Sequence, residues 1–352
     1  MPRTRTPQLA ISACLALFVS LFLVTARAQQ PAVAIDNDDI GGVVTSTNGP
    51  EAGVWVIAET RDLQVRYIKS VVTDDRGRFV VPDLPKANYT VWARGYGLVD
   101  GPKVTTAPGK LVNLTATIAP NEAAAAEYYP GIYWFSMLKI PGAADFGGEG
   151  RIPKGITQSA WLNQMKNNGC VGCHQLGQKA TRTIPQAFGT FNSSSAAWLR
   201  RVSSGQSGQQ MTEQLLSLGP LGAQMLGDWT DRIAKGELPR TKPTRPQGIE
   251  RNLVLRMWEW ATPTSYIHDE VATDKRNPRV NANGLIYGSP EEATDMVPVL
   301  NPITNQISQV KHPYRDPKTP SNTELLRGRS PYWGDEAIWD GHTSIHNPIM
   351  DE

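Results

Sequence analysis

Cysteine is scarce in this chain, with three in 352 residues and only five histidines beside them. Three cysteines cannot build the dense cross-linked framework of small secreted domains, so a packed core has to hold the fold. An excess of one charge is missing as well. Thirty-five basic residues face thirty-three acidic ones, and a net charge of +2 offers no basic surface for a nucleic-acid backbone. After the first thirty or so residues no apolar run reaches the length of a bilayer span. A peptidase zinc set of the His-Glu-x-x-His type is absent too. The acidic cluster Asp36-Asn37-Asp38-Asp39 lacks the further oxygen ligands and the glycine of a calcium loop, and it reads as a solvated lead-in to a strand.

What the chain does hold is turn formers: 31 glycines and 27 prolines, with 40% apolar and 19% charged residues. That is a globular composition with many short elements, long enough for two or three domains. Arg3 and Arg5 precede an apolar run over residues 9–24, and Ala26-Arg27-Ala28 places small residues at a cleavage point. This order predicts a secretory signal peptide over residues 1–28. Ser12 and Ser20 interrupt the run and argue against a membrane anchor. The apolar residues after Cys14 argue against lipoprotein cleavage there. The mature chain is expected to be periplasmic or secreted and soluble, with no transmembrane helix. Removal of residues 1–28 leaves Cys170 and Cys173 as its only cysteines.

Residues 38–119 alternate with the period of strands, in Gly53-Val54-Trp55-Val56-Ile57-Ala58, Arg78-Phe79-Val80-Val81 and Asn88-Tyr89-Thr90-Val91-Trp92-Ala93. Asp74-Asp75-Arg76-Gly77 supplies a hairpin turn. Together with Gly42-Val43-Val44 and Pro82-Asp83-Leu84-Pro85, this stretch resembles the carboxypeptidase regulatory-like, transthyretin-like domain. The resemblance implies a β-sandwich of seven strands with an accessory binding role and no peptidase activity. Residues 120–156, rich in Ala, Tyr, Pro and Gly, read as a linker with an aromatic docking point at Tyr128-Tyr129.

Over residues 157–245 the pattern turns helical. Thr157 can cap a helix through Trp161 and Met165, Ser195-Ala196-Ala197-Trp198-Leu199 opens a second, and Leu221, Met225, Trp229 and Ile233 stripe a third. Between the first two stands Cys170-Val171-Gly172-Cys173-His174, the attachment sequence of a c-type haem. Two thiols spaced this way reach the two vinyl groups of one porphyrin, and the adjacent imidazole comes up beneath the iron. A zinc knuckle would need two more ligands, and a thioredoxin-like pair would follow a strand rather than a helix. Cys170 and Cys173 are thus expected to carry one haem c covalently, with His174 as an axial iron ligand.

The segment resembles a class I c-type cytochrome. That resemblance implies a proline-marked loop near Pro185 whose carbonyl, at Ile184 or a neighbour, takes the His174 Nδ1 proton. It also implies a methionine as second axial ligand. Met211 follows the flexible loop 203–210 and precedes Thr212, a candidate helix cap, and it is preferred. Met225 lies on the helical stripe and is the alternative, while Met165 and Met257 read as core. Lys179, Arg182, Arg200 and Arg201 could pair with haem propionates, dock an acidic redox partner, or form a solvated basic face. Trp198 could shield a propionate or simply pack.

Residues 248–352 carry short strand-like pieces at 284–288, 297–300 and 306–310, with a hairpin at Asn301-Pro302-Ile303-Thr304-Asn305-Gln306-Ile307. This hairpin and the stretch His346-Asn347-Pro348-Ile349 resemble blades of the virginiamycin B lyase-like propellers. One or two blades do not close a propeller, so the chain is expected to be a piece of a longer protein. A complete protein whose proline-rich tail wraps its own cytochrome part is the alternative. Pro348 speaks against a helical metal pair of His342 and His346, and His268 and His312 show no partner in the sequence.

The expected fold class is multidomain: an all-β sandwich, then an all-α cytochrome domain, then an irregular β segment forming a partial propeller. The expected function is single-electron transfer with a redox protein. The alternative is the front part of a propeller enzyme, either a lyase or a haem-coupled dehydrogenase.

Overall fold

The computed structural model describes residues 33–148, 151–204, 208–260, 262, 265, 267–291, 293–321 and 339–350. The expected signal peptide lies outside them. Strands and helices are both present in quantity, and they segregate along the chain.

Between Ile40 and Ile118 the regular elements are all strands: β1 (Ile40–Ser46), β2 (Gly49–Pro50), β3 (Trp55–Thr60), β4 (Arg66–Val72), β5 (Arg78–Val81), β6 (Tyr89–Arg94), β7 (Leu98–Val99), β8 (Val104–Thr106), β9 (Lys110–Leu111), β10 (Leu114–Thr115) and β11 (Thr117–Ile118). One sheet is built around β1, which pairs antiparallel with β2 and β5 and parallel with β9 and β10. The other runs β4-β3-β6-β8, antiparallel throughout. Alternation does the sorting: β5 reads half-buried, buried, half-buried, buried, and its inward Phe79 and Val81 meet Ile40, Val44, Val56, Tyr67, Tyr89 and Val91 in one apolar cluster.

The turn before β5 is where expected. The Asp74 carboxylate accepts the backbone N–H groups of Arg76 and Arg78, both at 2.9 Å, and the Arg78 guanidinium. Gly77 closes the turn at φ +73°, with the Val44 carbonyl 2.5 Å from where a Cβ would sit, so only glycine fits.

From Glu122 to Ala234 the described regular elements are helical. They are α1 (Glu122–Ala126), α2 (Gly131–Phe135), α3 (Gln158–Asn163), α4 (Cys170–Cys173), α5 (Lys179–Arg182), α6 (Ser194–Val202), α7 (Gly208–Ser217) and α8 (Pro220–Ala234). Thr157 caps α3 by accepting the Ala160 N–H at 3.1 Å, and Ser193 caps α6 through the Ala196 N–H at 3.2 Å. Pro220 opens α8, where its missing N–H costs nothing.

Residues 120–156 do more than link. Asn121 caps α1, and Trp134, Phe135, Leu138 and Ile152 sit in the same core as Trp161, Met165, Trp198 and Trp229. Trp229 donates its indole N–H to the Trp134 carbonyl at 2.9 Å, and Trp134 donates to Ala126 at 3.1 Å. The aromatic docking point is present: Tyr129 meets Tyr96 of the strand region edge-on at 6.2 Å, and the Tyr128 hydroxyl accepts the Asp100 N–H.

After α8 the chain returns to the first sheet system. Strand β12 (Leu255–Glu259) pairs antiparallel with β4 along its whole length. Met257, expected in a core, is 49% exposed there, because on this edge strand it is the neighbouring Trp258 that turns in against Tyr67. Four further strands, β13 (Asp269–Val271), β14 (Ile286–Ser289), β15 (Met296–Asn301) and β16 (Gln306–Lys311), form an antiparallel meander. Asn301 organises its last hairpin by accepting the N–H groups of Ile303 and Thr304, with Asn305 at φ +56°. The meander docks on the sandwich through the Trp258 indole donating to Asn305 and a paired amide contact between Gln64 and Ile307. Among the described residues no helix is long and apolar enough to cross a membrane.

Candidate functional site

The attachment sequence lies at a break in the helical path. After α3 the chain widens into a π-helical turn over Gln164–Asn168, then bends at Gly169 into the single turn of α4. A Cβ on Gly169 would stand 2.3 Å from the Gln164 carbonyl, so the bend requires glycine. The His174 N–H then bonds the Cys170 carbonyl at 3.1 Å, which ties the histidine to the turn carrying the cysteines. Gly177, at φ +96° and 2.1 Å in Cβ terms from the Gly131 carbonyl, lets the following loop press onto α2.

Beside this turn an open cavity of about 410 Å³ is lined by Cys170, His174, Leu176, Pro185, Trp198, Arg201, Met211, Leu215 and Leu226, among others. That volume falls within the range of small-molecule and cofactor sites. A thiol, an imidazole and a thioether, those of Cys170, His174 and Met211, therefore line one mostly apolar space. Of Cys173, the backbone lies in α4 while its side chain is outside the described residues. No protein-family model matches the chain, and no curated protein matches it. The chemistry of this cavity therefore has to be read from its own residues.

Two expectations change in detail. Met211 is not on a loop but in the first turns of α7, and Thr212 is not a cap; its hydroxyl donates back to the Gly208 carbonyl at 2.7 Å. The Ser-, Gly- and Gln-rich stretch reads as loop, yet Gly208, Gln209 and Gln210 already belong to α7, which Leu215 anchors in the helical core. Met225, the alternative, is 8% exposed within the Trp229 core and borders a separate groove next to Lys139 and Asp228. Among the described residues the His174 ring makes no hydrogen bond, so Ile184 does not take its proton; Ile184 instead packs against the helical core.

Electrostatics favour a neutral imidazole. Crowding by protein pushes the His174 pKa down, and the nearby Arg201 guanidinium pushes the same way. A neutral ring keeps the lone pair that metal ligation needs. Of the four basic residues singled out, three are held by other protein groups, Arg200 by the cavity-lining Phe188. Lys179 pairs with Glu127 at 2.8 Å, Arg182 stacks over Trp134 at 4.0 Å, and Arg200 lies over Phe188 at 4.8 Å. Arg201 alone lines the cavity; its guanidinium donates to the carbonyls of Thr181 and Ala180, and burial lowers its pKa. Trp198 packs: its indole donates to Thr230 at 3.2 Å, and its ring stacks on Trp229.

Sequence reasoning missed Gln214, Leu215 and Phe188 as lining residues. The first two stand three and four positions beyond Met211 on one face of α7, so helical spacing from Met211 would have found them. The other histidines also acquire partners. His342 Nδ1 lies 2.7 Å from an Asp295 carboxylate oxygen and stacks on Tyr314, and His312 Nδ1 is 3.4 Å from the Thr343 hydroxyl. His346 pairs not with His342 but with His268 and Asp269.

Proposed function

We propose that this chain is an exported c-type cytochrome that carries one haem c on Cys170 and Cys173 and exchanges single electrons with a redox protein. One observation supports this reading above the rest: a single cavity collects Cys170, His174 and Met211. A thiol able to bond a vinyl group, and an imidazole and a thioether able to ligate iron, around one apolar space suit a low-spin c-type haem. When bound, the haem supplies a one-electron couple at its iron.

The chain's own residues then have distinct tasks. Cys170 and Cys173 belong to one helical turn, so one element sets both attachment points. His174 would be one axial ligand, and its depressed pKa keeps it unprotonated near neutrality. Met211, held on α7, would be the other. Leu176, Leu215, Leu226 and Trp198 wall the space and exclude water, which favours the less charged state of a bound centre. Arg201 is the cation placed to meet a propionate. In this reading the strand region is a carboxypeptidase regulatory-like accessory domain and the helical region a cytochrome domain.

The experiment is direct. Express the chain with a periplasmic cytochrome-maturation system and stain a denaturing gel for haem peroxidase activity. A stained band at the mass of the chain is expected, weakened in Cys170→Ala and Cys173→Ala. A colourless band would sink the proposal. The β13–β16 meander favours a second reading, because a propeller blade is a four-stranded antiparallel sheet of this kind. The cytochrome part would then feed or drain a propeller enzyme, a lyase or a dehydrogenase, in one longer protein.

A further inference from the structure

Asp269 opens β13 with His268 just before it, and His346 comes from far along the chain on the segment 339–350. That segment is fastened beside the meander at four points. Asp340 N–H donates to Ala293, His342 N–H to the Asp295 carboxylate, Ile345 N–H to Glu291, and Asn347 N–H to the Asp269 carboxylate at 2.9 Å. The last of these places His346 next to Asp269 by backbone geometry.

The result is a close cluster of three ligand-type side chains. Asp269 Oδ2 lies 3.2 Å from His268 Nδ1 and 3.0 Å from His346 Nδ1, and the two imidazole rings are 4.4 Å apart at 49°. One ligand atom from each residue falls within 4.8 Å of the others. Tetrahedral zinc with bonds of roughly 2.0–2.2 Å holds neighbouring ligand atoms about 3.3–3.5 Å apart. The two measured separations are within a few tenths of an ångström of that, so the side chains need only small movements to close on an ion.

We infer that His268, Asp269 and His346 form a binding site for one divalent transition-metal ion, distinct from the haem cavity. Two imidazoles and a carboxylate without thiolate suit zinc, nickel, copper or ferrous iron better than calcium or magnesium, which prefer oxygen alone. Three protein ligands leave a fourth position for water, the pattern of an open rather than a sealed site. His268 and Asp269 are well covered while His346 is 38% exposed, so the open position faces outward on the side of His346. The ion would pin the 339–350 segment to the first strand of the meander.

The test uses the full chain, stripped with a chelator and titrated with Zn²⁺ by calorimetry. One saturable equivalent is expected. His346→Ala and Asp269→Asn should each weaken it by more than the roughly 100-fold that outer partners of a metal site cost. His342→Ala, which disturbs the neighbouring Asp295 pair, should leave it unchanged. Equal Zn²⁺ affinity in all three variants, or no saturable binding in the unaltered chain, overturns the site. Should the ligand variants lose their circular-dichroism signature, Co²⁺ in the unaltered chain decides. Visible bands of tetrahedral nitrogen–oxygen coordination support the site, and a spectrum of hydrated Co²⁺ overturns it.

Discussion

The strand region and the helical region both bury large aromatic side chains, yet they finish their cores in opposite ways. The sandwich closes on itself: Val44, Val56, Tyr89 and Val91 have no measurable exposure, and its buried polar Thr73 is satisfied on both sides by Val54 and Glu51. The helical region is as tightly packed around Trp161 and Trp229 but stops short at the α4 turn, leaving about 410 Å³ edged by sulfur and imidazole. Interiors packed at crystal-like density seldom leave such a gap. A core that its own residues complete serves as a scaffold, whereas the one that opens beside ligand-type side chains is where the proposed haem would sit.

The comparison can be broken most forcefully at Trp229, fully buried and bonded to Trp134. Trp229→Ala should cost about 3–5 kcal/mol by denaturant titration followed by circular dichroism. A loss under 1 kcal/mol would mean that the helical core is loose throughout and the cavity nothing special.

Next in size is the methionine pair. With the proposed haem attached, Met225→Ala should cost about 2–5 kcal/mol as a core truncation while the haem spectrum is kept. Met211→Ala should cost far less stability, because its side chain borders open space, but it should abolish the sulfur-to-iron charge-transfer band and lower the potential. Swapped phenotypes would exchange the roles of the two residues.

Alkali should separate the regions more gently. Burial pushes the Tyr67 and Tyr89 phenols above their ordinary pKa of 10.0. An unfolded chain releases those protons near pH 10 while the folded sandwich keeps them, so the stabilisation present below pH 10 fades as pH climbs past it. Thermal melts between pH 8 and 11 should show the sandwich transition falling, with Tyr89→Phe removing part of the slope. A flat profile for the unaltered chain would contradict the closed-core picture. The smallest effect belongs to Met257→Thr on the edge strand, within about 0.5 kcal/mol in the same denaturant titration, as for exposed positions generally.

Much of this was legible before any coordinates. Period-two alternation marked β3, β5 and β6, the Asp74–Gly77 turn was readable from its chemistry, and Thr157 announced α3. The stripe Leu221, Met225, Trp229 traced α8 because a helix that buries one face repeats its apolar residues at that spacing. What escaped were features settled by distant contacts. The short helices α1 and α2 span too few turns to show a period, so their part in the core stayed hidden behind an Ala- and Tyr-rich composition. Met211 sits in a helix of good helix formers whose start was hidden by the Ser- and Gly-rich residues just before it. His268 and His346 have no local pattern linking them; only the path of the tail brings them together.

The return of β12 to β4 has a consequence for how the molecule holds together. Everything from β5 to α8 lies between β4 and β12, two paired strands of one sheet, so this stretch, strands β5–β11 and the helical region together, is a long loop closed at its base by backbone hydrogen bonds. A single protease nick inside that loop would not release a piece; the fragments would stay side by side until the sheet itself opens. A chain ended before Leu255 loses more than a tail. It bares the outer edge of β4, a row of unanswered amides that invites another molecule's strand, and trades an internal clasp for a tendency to self-associate.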